Sequence, residues 1–471
     1  MSEQRSPIVR PSRLIVTIAI LAAASLTTAP AVTGQASAPA WLDAYREPAS
    51  RIIGEAMANT FAWDRLAELS DTFGHRLSGS PQLEQAIEWA AEQMRGDGLE
   101  NVRLEPVMVP HWVRGSERAR ITRPSEHELV MLGLGGSIAT PPDGVEAETL
   151  VVGSFDELDA RADDVPGKIV VYNVPFTNYG QTVRYRTTGA SRAARHGAVA
   201  SLVRSVGPTA GRTPHTGAMT YTETDPQIPA AAVTAEDADL LQRMQDRGTP
   251  AWVRLEMSAQ LLPDVESANV VAEIRGRELP EEVVVIGGHI DSWDVGTGST
   301  DDGGGCIITW DALRILQRLN LRPRRTLRVV LWTNEENGLR GGTAYRDRHA
   351  DQLADHVMML ESDGGVFRPR GFGFTGNDRA RATVETIASL LVGIDAHRIG
   401  PSGGGADIGP SVRAAGIPSM STDVDGSTYF TIHHTPADTM DKIDPTEVAL
   451  NVAAVAVMAY VVADMPERLG Q

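Results

Sequence analysis

The sequence predicts an α/β protein: a mixed, mostly parallel central sheet flanked by helices, with a smaller β/α domain inserted into the chain. Two observations predict it. From Ala268 onward, short strand-like runs at 270–274, 283–288, 327–332 and 357–360 alternate with helical stretches, and 283–286 is an unbroken apolar run, as a strand buried on both faces is. From 110 to 263 the texture changes to frequent Pro, Gly and Thr with short strands. A segment of that length with so little regular structure is out of place inside one compact domain.

The elements follow in order. Arg5, Arg10 and Arg13 precede an apolar run over 14–26 and the small-residue stretches Ala29-Pro30-Ala31 and Gly34-Gln35-Ala36. That order of charge, apolar run and small residues predicts a secretory signal over 1–36, and with it an exported protein, in the bacterial periplasm or outside the cell; an uncleaved anchor is the alternative. The run is short for a membrane span, and no later stretch is expected to span one. Residues 41–65 read as a helix. Ser80 is placed as an N-cap with Pro81 at the first helical position, opening a helix to Gly96 with Leu83, Ile87, Ala90 and Met94 on one stripe. A strand follows over 101–109. Inside the insert, strands at 167–172 and 198–203 and helices at 189–196 and 233–246 are expected. The remainder, 264–471, joins 41–109 to make the main domain, with helices at 304–319, 340–348 and 380–391. A last helix, 448–462, is expected to be apolar on one side.

Composition narrows the function. A formal net charge of −18 over 471 residues argues against nucleic acid or anionic membrane as a partner. The single cysteine, Cys306, excludes an internal disulfide and a cysteine-built zinc site, and its place inside a helix predicts core packing.

Chemistry gathers after the strands. Gly287 to Gly305 closes a strand with His289 and Asp291, then delivers Asp301 and Asp302 to a helix start. Alternation along a strand would point His289 and Asp291 the same way, and a carboxylate beside a histidine can accept the other ring N–H of a metal ligand. Such a pair is also what a hydrogen-bonded surface contact looks like, and Asp-Asp before a helix also reads as a cap. Strand 327–332 leads to Glu335-Glu336, strand 357–360 leads to Glu361-Ser362-Asp363, and Tyr429 and His433-His434 come near the end. Together these are hard oxygen and imidazole donors, mostly at the carboxyl ends of strands, where open α/β sheets carry their sites. Two histidines and three carboxylates suit a pair of zinc ions with one carboxylate bridging, and an adjacent spare Glu suits a general base. Such donors also accept manganese or cobalt.

Seven motifs carry a resemblance: His-Arg-Leu-Ser-Gly-Ser at 75–80, Pro-His-Thr-Gly at 214–217, Gly-Gly-His-Ile-Asp-Ser at 287–292, Asp-Asp-Gly at 301–303, Asn-Glu-Glu at 334–336, Glu-Ser-Asp-Gly at 361–364 and His-His-Thr-Pro-Ala-Asp-Thr at 433–439. In these the chain resembles the co-catalytic zinc exopeptidases that include bacterial secreted aminopeptidases, and is most similar to their plasma glutamate carboxypeptidase, or carboxypeptidase Q, branch. The resemblance implies a zinc exopeptidase fold with a protease-associated-type insert at 110–263. It implies that His289 and Asp363 hold one zinc, Glu336 and His434 the other, and that Asp301 bridges them. Glu335 is then the general base, Asp302 shapes the loop, and Asp291 orients His289. His433 stands where several relatives have a Tyr, which leaves the oxyanion role open. The Gly-rich loop ending in Asp407 and the insert's His215 are candidates for the substrate pocket. The implied substrate is a short peptide or dipeptide, with aminopeptidase and carboxypeptidase outcomes both open; relatives suggest a homodimer. Two alternatives remain: a zinc-dependent acyltransferase or cyclase on the same fold, which typically keeps one metal, and a non-catalytic receptor or scaffold, which loses ligands.

Overall fold

Eight strands form the central sheet, in the spatial order Glu100–Val113, Gln260–Ile274, Arg325–Trp332, Leu279–His289, His356–Glu361, Ser419–Val424, Pro369–Thr375 and Arg398–Gly400. The computed structural model describes residues 39–208 and 211–471, so the expected signal over 1–36 lies outside the described residues. The four strands from Arg325–Trp332 to Ser419–Val424 run parallel, and antiparallel strands extend the sheet on both sides. Register decides where the chemistry lands. His289 pairs with Trp332 and Gly287 with Glu361, so three neighbouring strands end at one level and their following residues emerge together.

Both faces of this sheet are covered. Val284, Ile286, Val329 and Leu360 pack under helices Asp43–Met57, Phe61–Phe73, Pro81–Gly96, Gly304–Arg318 and Pro445–Asp464, while Val285, Val330 and Met359 face Tyr345, Ile408 and Ile417. This is why the strands read as continuous apolar runs. Cys306 is fully buried in the first of these cores.

A second eight-stranded sheet is built from strands between Glu117 and Met257, and holds a parallel run Val145–Val152, Ile169–Tyr172, Ala200–Arg204 and Ala230–Val233. It has its own apolar layers on both faces. The long antiparallel ribbon of Glu100–Val113 and Gln260–Ile274 leads the chain into and out of it, with Val113 opposite Gln260.

Four expectations need correction. The single helix over 41–65 is two helices, Asp43–Met57 and Phe61–Phe73. Asn59 breaks it, donating to the Glu55 carbonyl at 2.6 Å and accepting from the Phe61 N–H at 3.0 Å, a local alternative to helical bonding. The last helix, Pro445–Asp464, is buried from Leu450 through Asp464, on every side rather than one. It is also long and apolar enough to cross a membrane, contrary to the expectation that no later stretch is, but its burial between the other helices makes it the core of the helical layer. Finally, the strand stops at His289, so alternation does not govern Asp291.

Candidate active site

The loop after His289 is pinned from beneath by Arg76. This arginine is fully buried and donates to the carbonyls of Ile290 at 2.7 Å, Thr297 at 2.7 Å, Gly298 at 3.0 Å and Gly74 at 3.0 Å. Asp302 fixes the other end: its two oxygens accept the N–H groups of His289 at 3.0 Å and Gly305 at 3.1 Å. Glycines make that approach feasible, since a Cβ on Gly288 would lie 2.3 Å from Asp302 and one on Gly305 1.9 Å from the Ser362 carbonyl. Asp438 then holds Asp301 in place, accepting the N–H groups of Thr300 at 2.7 Å and Asp301 at 3.1 Å.

Five side chains meet above this scaffold. His289 Nε2 lies 3.3 Å from Asp301 Oδ1 and 3.5 Å from Asp363 Oδ1. His434 Nε2 lies 3.2 Å from Asp301 Oδ2 and 2.9 Å from Glu336 Oε2. The two oxygens of Asp301 therefore face two different histidine–carboxylate pairs. His433 stacks on His434 with ring centroids 3.6 Å apart and its Nε2 is 3.5 Å from Asp301 Oδ2, so it crowds the second pair without reaching Glu336 as His434 does.

The local backbone is arranged for this. Asn334 and His434 both sit in the left-handed region, at φ +66° and +57°. Asn334 turns the chain sharply out of the strand so that Glu335 and Glu336 follow at the sheet's end. His434 offers its carbonyl to the Thr216 N–H at 3.0 Å, which ties the Pro-His-Thr-Gly segment to the site. The carboxylate of Asp291 accepts the N–H groups of Glu335 and Glu336, while its backbone carbonyl contacts His289 Nδ1 at 3.0 Å. Asp291 thus meets the histidine ring with its carbonyl; its carboxylate, 3.7 Å from Nδ1, serves the Glu pair.

Electrostatically the site is crowded with acid. Burial, then the Asp301 carboxylate, pushes Glu336 up to about 7. Burial, with the Asp363 and Glu336 carboxylates, holds Glu335 well above the usual carboxylate range. Burial alone would depress His289, but Asp291, Asp301 and Asp363 together hold it well above its ordinary value. Carboxylates packed this closely call for cations between them. The donor set fits metal: His289 Nε2, Asp301 Oδ2 and Glu336 Oε1 are buried with no hydrogen-bond partner, and groups drawn from these residues lie within 4.8 Å of one another.

The site opens into a cleft of about 640 Å³ lined by Glu335, Glu336, Asp363, His433 and His434 from the main sheet's loops, and by Tyr179 and Arg186 from the second sheet's helices. Two expected pocket residues are not in its wall. Asp407 is buried behind the site, in the loop whose Ala406 and Ile408 N–H groups bond Glu361 at 2.8 Å each. His215 is buried behind His434, where a Cβ on Gly207 would meet its ring at 2.3 Å, and burial pushes it down to about 3.

The chain is similar to known proteins over most of its length. The sequence profile of peptidase family M28 matches residues 269–459, and that of the PA domain matches 129–241. Carboxypeptidase Q of Bos taurus is 49% identical over 412 residues, 88% of this chain and 87% of that protein. The chain belongs to peptidase family M28. It is therefore a metallopeptidase, with a PA domain inserted in the family's α/β fold. A crystal structure of a peptidase M28 precursor from Shewanella amazonensis has a TM-score of 0.88 at 36% identity, covering 91% of this chain and 99% of that one. An aminopeptidase from Aneurinibacillus sp. strain AM-1 shares the fold at 20% identity, with a TM-score of 0.65 and coverage of 90% and 98%.

The sequence reading missed Arg76, Asp438 and Arg186. The first two lay inside motifs already singled out, and an Arg or Asp with no partner in its own segment was the available signal. Arg186 had none, sitting among other arginines in a helix.

Proposed function

We propose that this M28 metallopeptidase is an exported dinuclear zinc exopeptidase that removes terminal residues from short peptides. In this reading His289 and Asp363 would hold one ion and Glu336 and His434 the other, with Asp301 a donor available to both. The observation that carries it is the division of Asp301, with Oδ1 toward His289 and Asp363 and Oδ2 toward His434 and Glu336. A single-metal acyltransferase or cyclase would have no use for the second pair, and a scaffold would have no use for either. Segment 1–36 is proposed as the export signal and 110–263 as the inserted domain.

When bound, zinc would supply polarisation of the scissile carbonyl and a water acidified toward a pKa of roughly 7. The chain's own residues do the rest. Glu335, at the cleft floor beside the five donors, takes the proton of the attacking water and passes it to the leaving amine. Asp291 fixes the backbone that carries Glu335, so the base does not need to search for its position. His433 and Tyr429 line the same wall and offer N–H and O–H donors to the developing oxyanion.

The test is Glu335→Ala. It should lower kcat by about 10²- to 10⁴-fold while metal analysis still finds two zincs per chain. One zinc per chain in the unaltered protein refutes the dinuclear reading, and peptidase activity retained in the zinc-replete variant refutes the role of Glu335.

A further inference from the structure

The two expected ligand histidines are backed by opposite partners. His289 Nδ1 meets an acceptor, the Asp291 carbonyl at 3.0 Å, with the carboxylate of the same residue 3.7 Å away. Metal-binding histidines are ordinarily backed in this way, because an acceptor behind the ring raises its basicity as a ligand. His434 Nδ1 instead meets Nη1 of Arg186 at 3.5 Å, a group that can only donate and that carries positive charge. Its other ring nitrogen, Nε2, faces Asp301 at 3.2 Å and Glu336 at 2.9 Å.

The insert holds Arg186 in this pose. The side chain is buried, with Nε donating to the Ala218 carbonyl at 3.3 Å, Nη1 to the Thr216 carbonyl at 3.3 Å and Nη2 to the Tyr179 hydroxyl at 2.9 Å. Gly217 permits the approach, since a Cβ there would lie 2.3 Å from Cζ and Nη1. All three acceptors are neutral, and among the described residues lining the cleft Arg186 is the only Arg or Lys. A buried guanidinium with no carboxylate in contact is costly to keep. The negative charge it faces is that of Asp301 and Glu336, one imidazole ring away. An ion in that half of the site would share the same charge with it.

Two effects of the arginine oppose each other. Orienting a ligand ring strengthens metal binding, whereas a fixed positive charge behind the ring weakens it. The second wins here, because the ring has other supports. His433 stacks on it with centroids 3.6 Å apart, Trp293 meets it edge-on at 5.7 Å, and the His434 carbonyl accepts the Thr216 N–H at 3.0 Å. None of these three contacts involves the guanidinium.

We propose that Arg186 acts through His434 to weaken the hold on one ion, so that the Glu336–His434 half of the site fills last and empties first. This rests on the dinuclear reading above and adds an order to it. Peptidase activity then follows free zinc across the weaker step, and the insert sets where that step falls.

The test is chelator competition on the full chain with zinc as the probe. The unaltered protein should show two steps that differ by about tenfold or more. In Arg186→Gln the weaker step should tighten by roughly 10- to 100-fold while the tighter step stays where it was. Arg186→Lys keeps the charge and should bind zinc as the unaltered protein does, and His434→Ala should lose the weaker step alone. The free zinc needed to restore dipeptide hydrolysis should fall in Arg186→Gln by the factor seen in binding. A weaker step that loosens or stays put in Arg186→Gln overturns the proposal, since an arginine that only oriented the ring would give that result. Loss of the tighter step in His434→Ala overturns it too, as do two equal steps in the unaltered protein, a result that needs no variant to fold. A single step in the unaltered protein sinks the dinuclear reading and this proposal with it. Two unequal steps without any dipeptide hydrolysis sink the hydrolase reading alone.

Discussion

The Asp291 carboxylate receives the Glu335 N–H at 3.0 Å on one oxygen and the Glu336 N–H at 3.3 Å on the other. One buried side chain thereby sets the height of both the expected base and an expected ligand. Asp291→Ala should lower kcat and zinc affinity by about 10- to 100-fold each, read by steady-state kinetics and chelator competition. Asp291→Asn keeps a single acceptor oxygen and should fall between. Loss of activity with no change in zinc affinity would show that Glu336 does not depend on it.

Asp438 plays the corresponding part for Asp301. Asp438→Ala leaves two buried N–H groups unpaired, each costing about 1–3 kcal/mol. Urea unfolding of the zinc-free protein should register about 2–6 kcal/mol of lost stability, and metal analysis should find fewer zincs bound.

Removing metal should destabilise the fold, because a cation held among Asp301, Glu336 and Asp363 would relieve their crowding. A ligand at a hundredfold its dissociation constant adds about 2.7 kcal/mol. Chelation should therefore lower Tm by roughly 3 °C, reversed by zinc. An unchanged Tm would mean that no ion bridges these carboxylates.

Away from the site, burial pushes His356 down to about 4, with Arg328 adding to the effect against a bond to the Gln352 carbonyl. The unfolded chain takes up this proton near pH 6.5, before the folded one does. The contribution of neutral His356 is thus whole above pH 6.5 and drains away as pH falls toward 4, by about 3 kcal/mol in all. Chemical denaturation at pH 7 and pH 4.5 should show that His356→Gln loses less stability on acidification than the unaltered protein.

The resemblance supplied the five expected donors that the structure gathers, and only some of them follow strands: Glu336 and Asp363 do, while Asp301 lies in the loop beyond His289 and His434 follows the short helix Tyr429–Ile432. What sequence could not convey was depth. The Ser402-Gly403-Gly404-Gly405-Ala406-Asp407 stretch resembled a pocket loop, yet Gly403 and Gly405 are there because a Cβ would meet the Gly373 carbonyl at 2.1 Å and the Glu361 carboxyl at 2.1 Å. The glycines serve packing, and Asp407 goes inward with them. His215 misled in the same way, its ring being packed inward against Gly207. Arg186 was invisible because its partners, Tyr179 and the 216–218 carbonyls, meet it only after the second sheet has folded.

The ribbon that joins the two sheets keeps the ion-holding side chains and Arg186 on separate scaffolds. A change in the insert at Thr216 would nonetheless be felt at His434, whose carbonyl accepts the Thr216 N–H. The two scaffolds are therefore stitched together at the cleft and are not free to vary one without the other.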